Sequence, residues 1–518
     1  MSQKRTIVVN TLANGAAQAT AMVAALVFMP FLITRFGATN YGLYLIAASI
    51  GGYAAILDFG VGASLTKLIA ERSNDDDREH VAVLASSALA FYLVIGVIVC
   101  AIMLVLAFSA GAFFKVDADG ARLLRNMFLV AAASSLITWP ATTANHVLAG
   151  FQRYTVLART AAGVTLGTVA VMTVVVITRQ GPLVLMAGNA LVAITGGLIN
   201  VVLARAALHG ASVSPQRADP ATMRTIFSFS WAIFIVQVMT VILYQQTDRL
   251  VLGVALGAIA VTLYEGASKF QGFISQLVTF ANSASMPVAS KLEAEGRAEA
   301  IQTLFLRGTK YVLVLTAPVV VTLMVIAEPL LRRWLGASLA TQGLANRIPE
   351  MALAAQILIS HQILTAGGTL GDSMIIGMGK LPKRLPYAIV VTLANLVLSV
   401  LLVRPLGILG VVIGTTLPYL VDFPIHMWLL FKLLGVQPRR WVREVVAPVY
   451  PLLVLPLAMS IGALYTPLSG SLIGMAVIGA ASVGAYWAAV MAFSMSPVER
   501  VEIRAGIDAV RNRLGRPR

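Results

Sequence analysis

The sequence predicts an all-α polytopic membrane protein of about fourteen transmembrane helices: two related six-helix halves, then two further helices. Three observations carry this. Of 518 residues, 58% are hydrophobic and 12% charged, with a mean hydropathy of +0.85, whereas a soluble domain carries about 25% charged residues. The charges fall in short clusters between apolar stretches of about 20 residues, the length that crosses a bilayer. Motifs from the first half recur in the second.

Taken in order, the apolar stretches place spans at 8–34, 41–70, 81–109, 123–150, 154–178 and 183–208. The second half reads 224–251, 257–286, 304–327, 351–379, 385–403, 407–434, 443–466 and 470–494. Lys4 and Arg5 precede the first apolar run as in a signal peptide, but the run reaches Phe36 and carries Asn10, Asn14 and Gln18. It is too long and too polar at its start for a signal-peptide core, so it is read as the first span. The expected divisions are 1–220 for the N-terminal lobe, 221–436 for the C-terminal lobe, 437–495 for two additional spans and 496–518 for a tail.

An even number of spans puts both termini on one side. Loops on that side hold 27 of the 38 Lys and Arg residues and loops on the other side 10, with Lys269 inside a span. Short cytoplasmic loops retain positive charge, so both termini are expected in the cytoplasm and the chain in a bacterial inner membrane. The net charge of +16 then reflects orientation and attraction to anionic membrane lipid, and nucleic-acid binding has no support. In the tail, Ser496, Pro497 and Glu499 form a helix-start signature. Ile503, Ile507, Val510 and Leu514 then make one apolar stripe among arginines, suited to lying on the cytoplasmic leaflet.

The internal echo has two parts. At an offset of 220 residues, Gly37-Ala38, Leu43-Tyr44 and Ala47 meet Gly257-Ala258, Leu263-Tyr264 and Ala267. Span 4 closes on Gly150-Phe151-Gln152-Arg153 and span 10 on Gly377-Met378-Gly379-Lys380, each a glycine-to-basic exit. Six spans separate equivalent points, so the halves share one orientation, as parallel repeats do.

No enzyme signature is present: no Walker A loop, HExxH, paired Cys/His spacing or GxSxG elbow. Cys100 has no disulfide partner, and His80, His146, His209, His361 and His426 are scattered singly and read as packed or interfacial residues. Polar groups inside a bilayer are costly and face a bundle interior or an aqueous cavity. Four stripes mark such a face. Span 1 offers Asn10, Asn14 and Gln18; span 2 offers Tyr41, Tyr44 and Asp58; span 7 offers Gln237, Thr240, Tyr244 and Asp248; span 8 offers Glu265, Lys269, Gln276 and Thr279. Lys269 is expected to pair with Glu265, one turn earlier, and to be available to an anionic substrate. Arg35 and Arg249 sit at the outer ends of spans 1 and 7, where they either guide a phosphate or anchor the helices.

The opening, with Arg35-Phe36-Gly37, Tyr41-Gly42-Leu43-Tyr44, Leu57-Asp58-Phe59-Gly60 and Ile69-Ala70-Glu71, resembles O-antigen and exopolysaccharide flippases of the multidrug/oligosaccharidyl-lipid/polysaccharide exporter superfamily. Gly150-Phe151-Gln152-Arg153-Tyr154 and Thr247-Asp248-Arg249-Leu250-Val251-Leu252-Gly253 extend the resemblance. It implies two six-helix lobes around a central cavity, alternating access without ATP hydrolysis, no cofactor, and an undecaprenyl-diphosphate-linked oligosaccharide as substrate. Other polysaccharide-assembly proteins are the partners it suggests. A proton or sodium ion is the expected coupling ion, with Asp58, Glu265 and Asp372 as candidates. The departure is a cavity with one confident cation, Lys269, so Asn, Gln and Tyr contacts to sugar carry more of the recognition. An ion-coupled multidrug extrusion antiporter and an integral-membrane glycan polymerase or ligase are the alternatives.

Overall fold

A computed structural model describes residues 3–72, 78–114, 116–228, 230, 234, 247–282, 285–497 and 499–501; of residues 3–14, 16, 17 and 55 it describes the backbone alone. Among the described residues the regular structure is helical, and ten helices are long and apolar enough to cross a membrane. The chain is a multi-pass membrane protein. The expected span at 224–251 lies largely outside the described residues, and two others, 41–70 and 351–379, are interrupted rather than continuous.

In the first half, α1 (Gln3–Tyr53) holds the first span and the start of the second. They are separated at Gly37, whose φ of 78° and ψ of 155° leave the helical region. The second span then breaks. A 3-10 turn over Ala54–Asp58 is followed by Phe59 at φ 50° and Gly60 at φ 74°, and the chain restarts as α2 (Val61–Glu71). Two successive left-handed residues cannot continue a right-handed helix. Next come α3 (Arg78–Phe113), α4 (Ala118–Gly150), α5 (Tyr154–Ile177) and α6 (Pro182–Ala207). These four coincide with the spans expected from the sequence to within a turn and a half.

The second half repeats the plan: α7 (Thr247–Leu256), α8 (Ala258–Asn282), α9 (Ser285–Ala294), α10 (Ala298–Ala340), α11 (Ile348–Ser360) and α12 (Gly368–Gly377). It continues through α13 (Leu385–Leu406), α14 (Ile408–Leu434), α15 (Pro438–Leu464) and α16 (Leu472–Ser494). The span expected at 351–379 is divided between α11 and α12, with a short helical turn at Gln362–Thr365 between them.

Backbone geometry shows the repeat more fully than sequence identity does. Gly37 at φ 78° answers Gly257 at φ 86°. At the ends of α4 and α12, Gln152 (φ 55°) and Gly379 (φ 69°) take the same left-handed cap. Arg153 N–H donates to Leu148 O at 2.9 Å in one, and Lys380 N–H to Ile375 O at 2.8 Å in the other. This is the Schellman pattern that satisfies the last carbonyls of a helix. Arg179 and Gly407, and His209 and Gly435, are left-handed at the two later ends.

Packing follows membrane rules rather than soluble ones. One core joins α2, α3, α4 and α6 through Leu65, Ile69, Leu84, Tyr92, Val147 and Leu148, while Phe108, Val105, Ile177, Leu191 and Val202 stay exposed, as lipid-facing residues do. The α5 and α6 backbones approach where a Cβ on Gly167, Gly188 or Gly196 would come within 2.9, 2.5 and 2.5 Å of Val192, Val171 and Val164. Small residues permit such contact when lipid is the competitor.

The fold divides into two compact units: 1–265 with 338–344 and 399–411, and 266–337 with 345–398 and 412–518. Inside the first, the repeated turns meet reciprocally. Thr262 Oγ1 donates to Ala38 O at 2.6 Å, and a Cβ on Gly42 would lie 2.0 Å from Ala258 O. Residues 38 and 42 therefore meet 262 and 258, each the equivalent of the other at the offset of 220.

Candidate functional site

In the first unit, polar side chains gather beside the two glycine turns. Glu265, on α8, is buried, with 3% of its side chain exposed, and it accepts from Arg249 on α7 through Nε at 2.9 Å and Nη2 at 2.8 Å. Tyr264 Oη donates to Asp248 Oδ2 at 2.6 Å. The Tyr53 hydroxyl lies 2.7 Å from Thr247 Oγ1, and Asn189 Nδ2 donates to Tyr44 Oη at 3.3 Å. Tyr41 and Tyr44 stack with ring centroids 6.3 Å apart. Two carboxylates thus share a neighbourhood with one guanidinium and four phenols. Both guanidinium nitrogens converge on one carboxylate oxygen, Oε2, a charge-assisted contact that holds the Glu265 side chain in place. Arg35, by contrast, donates to the carbonyl of Arg179, the left-handed cap of α5, which is an anchoring contact.

A second cluster sits where span 2 breaks. Asp58 ends the 3-10 turn and accepts from Tyr92 Oη. The His146 ring stacks on Tyr92 with centroids 6.3 Å apart and has Nδ1 3.3 Å from Thr66 Oγ1. A Cβ on Gly62 would lie 2.1 Å from His146 Nε2, so only glycine admits the ring there. Irregular backbone at membrane depth occurs where it is buried in protein or lines an aqueous cavity, and this break puts its carboxylate among hydroxyls and an imidazole.

In the second unit, α8 carries Lys269 and Gln276, both half-buried. The seam from α8 to the broken span has two rungs: Gln362 Nε2 donates to Ser275 Oγ at 3.3 Å, and Asn282 Nδ2 to Thr369 Oγ1 at 2.7 Å. His361, at the break itself, is buried and stacks on Tyr419 at 4.9 Å. Asp372, on α12, lies 2.9 Å from His426 Nε2 on α14. Arg384 approaches Asp372 at 3.8 Å and binds Asp422 bidentately at 3.1 and 2.5 Å. No group of three His, Cys, Asp or Glu side chains among the described residues is placed to hold a metal ion.

A family model described as polysaccharide biosynthesis protein matches residues 7–293. The chain belongs to that family. The fold of this polysaccharide biosynthesis family member also resembles solved transporters at low identity. The structure of lipid II flippase MurJ in an inward closed conformation has a TM-score of 0.69 at 14% identity, covering 92% of this chain and 98% of that one. An inward-facing multidrug resistance MATE family transporter of the MOP superfamily has a TM-score of 0.65 at 19% identity, covering 83% and 96%. A MOP superfamily transporter from Pyrococcus furiosus Vc1 (DSM3638) has a TM-score of 0.57 at 16% identity, covering 83% and 96%. No curated protein matches it in sequence.

The structure of this family member brings Tyr44, Asp248, Arg249 and Glu265 into one neighbourhood and sets Asp58 in another. Glu265 is bonded by Arg249, sixteen residues earlier, a cation the sequence reading did not pair with it; Lys269, the partner that reading expects, lies one turn further along α8. Gln18 is exposed on α1. Asn10 and Asn14 lie in the same helix, their side chains outside the described residues, and Gln237, Thr240 and Tyr244 fall wholly outside them. Sequence reasoning passed over Tyr92, Tyr264, Asn189, Arg384, Asp422, His146 and His426 as chemistry. The recurring caps at 152 and 379 and at 209 and 435 could have paired the two halves residue by residue and marked Arg384, Asp422 and His426.

Proposed function

We propose that this chain is a flippase that moves an undecaprenyl-diphosphate-linked oligosaccharide from the cytoplasmic to the periplasmic leaflet by alternating access, with both termini cytoplasmic. Family membership across 7–293 carries the reading, and a fold shared with a structure named as a lipid II flippase supports it. In this reading Lys269 meets the diphosphate, and Tyr44, Gln18, Asn10, Asn14, Gln237, Tyr244 and Gln276 meet sugar. Asp248, Arg249 and Glu265 form a charged brace within the first unit. Asp58, Glu265 and Asp372 are the candidates for a coupling ion. Sugar hydroxyls suit amide and phenol partners, and a diphosphate needs a cation in a hydrated space. Deleting the gene should stop a surface or secreted glycan while its lipid-linked precursor accumulates inside the cell.

The likeness to a multidrug resistance transporter favours extrusion as a second reading. Intact glycans together with raised sensitivity to cationic dyes in the deletion strain would establish it in place of the first.

A further inference from the structure

The internal duplication supplies a comparison within one chain. In the first half, Asn200 Nδ2 on α6 donates to Asn145 Oδ1 on α4 at 2.7 Å. Asn145 lies seven residues before the left-handed cap at Gln152, and Asn200 nine before the cap at His209. In the second half, the residue seven before the cap at Gly379 is Asp372, and the residue nine before the cap at Gly435 is His426. These two also touch, at 2.9 Å. The same inter-helix bridge is therefore built twice, once from two amides that never ionise and once from two groups that do.

The neighbours differ in the same sense. By the same count Arg384 corresponds to Leu157, which packs against the apolar core. Asp422 corresponds to Gly196, where a Cβ would already lie 2.5 Å from Val164. At these equivalent positions the second half thus holds four ionisable groups where the first holds none, on helices that end in matching left-handed caps. An amide pair suffices to tie these helices together, as it does between α4 and α6, so bracing does not account for the charge.

The groups facing His426 are Asp372 from α12, the backbone at Gly368 with a Cβ position 3.2 Å from the ring, and Asp422 one turn earlier on its own helix. Arg384 bridges the two carboxylates, and the nearby Lys380 is taken by Glu293 at 2.9 Å. With a neutral imidazole the cluster holds two carboxylates against one guanidinium, a net charge of −1; one added proton balances it. Arg384, Asp422 and His426 are 12, 8 and 9% exposed, and Asp372 is 34% exposed, so the pair has one face through which a proton can arrive. Histidine is the side chain whose ordinary titration falls between about pH 5 and 8.

We propose that Asp372 and His426 form a proton-binding site of the C-terminal half, whose occupancy is coupled to the transport cycle. This rests on the transport reading above for its cargo, and on the bridge geometry for the site itself. Binding adds a proton to the imidazole, and release returns it through Asp372.

The test uses full-length protein carrying 13C-labelled histidine in lipid nanodiscs, with the His426 resonance assigned by its loss in His426→Asn. That resonance is followed over about pH 5 to 8.5 and is expected to change as the imidazole takes up a proton, and Asp372→Asn is expected to alter that change. A His426 resonance that stays constant over that range overturns the site. The double variant Asp372→Asn/His426→Asn rebuilds the amide bridge of the first half and is expected to insert normally. Its glycan export, normalised to inserted protein, is expected to fall about tenfold or more, within the range of ordinary coupling energies. Export within twofold of wild type would reduce the pair to a brace. If gene deletion leaves glycans intact, the flippase reading fails by itself, ethidium efflux replaces export as the cargo readout with the same two outcomes, and the titration is unaffected.

Discussion

Removing the carboxylate of Glu499 should release the start of the C-terminal tail from the second unit. Lys310 Nζ lies 3.0 Å from both oxygens of Glu499 and 3.1 Å from Ser494 O, and the two side chains are 7 and 8% exposed. Glu499 also closes the capping box anticipated in the sequence. Its Oε2 accepts from Ser496 N–H at 2.8 Å, and its own N–H donates to Ser496 Oγ at 3.3 Å. Taking one partner from a buried pair costs about 3–5 kcal/mol because the other charge stays behind. Glu499 sits just beyond α16 and is tied back to α10 by this pair, so the cost should appear as local opening there, and 3 kcal/mol is roughly a 100-fold change in that equilibrium. Acylation of Lys310 followed by mass spectrometry measures it. Glu499→Ala should speed modification roughly 100-fold, while Lys310→Met with Glu499→Met should melt within about 1 kcal/mol of wild type. Burial by itself raises the Glu499 carboxyl, but the Ser496 N–H and the Lys310 ammonium outweigh it and leave it below its ordinary value. The native state thus holds the ionised form more strongly than the opened one. Protection should be full above about pH 4.5 and vanish as the pH falls through the lowered native value. Lys310 reacting as fast in wild type as the half-exposed Lys67 would refute the argument.

Three further outcomes follow from the geometry. Arg249→Met and Glu265→Met should each destabilise the protein by about 2–3 kcal/mol, less than a fully buried pair because Arg249 keeps 24% exposure, and the double variant should cost less than the sum; additive losses in detergent melts would show that the pair is uncoupled. Gly42→Ala should cost about 1–3 kcal/mol or more because its Cβ would meet Ala258 O at 2.0 Å, whereas Gly51→Ala, with nothing within 4 Å, should be neutral or stabilising by about 1 kcal/mol; equal melting temperatures would refute the close approach of the two helices. Lys269→Gln should cut glycan export about tenfold or more while leaving insertion unchanged, and Lys269→Arg should retain part of it; near-normal export by the glutamine variant would remove Lys269 as the phosphate contact.

Sequence by itself determined most of the span positions that the described residues cover, because a helix must satisfy its backbone internally wherever apolar length places it in lipid. It determined the repeat in outline through Gly37 and Gly257, since a left-handed turn demands a residue that tolerates it, and the capping box at Ser496–Glu499, which closes over three residues. Tertiary structure decided the rest. The breaks at Asp58 and at His361 interrupt stretches that read as continuous, because apolar length says nothing about where a buried backbone is allowed to leave the helix. Arg249 reaches Glu265 from another helix after the chain reverses at Gly257, a contact set by the turn, whereas helical periodicity points only to Lys269, one turn away. His426 and Asp372 are 54 residues apart, and each is an isolated polar residue in an apolar run. Only the folded α12 and α14 place them in contact, and only the neutral pair Asn145 and Asn200 shows that the charge there is an addition to a bridge the fold already had.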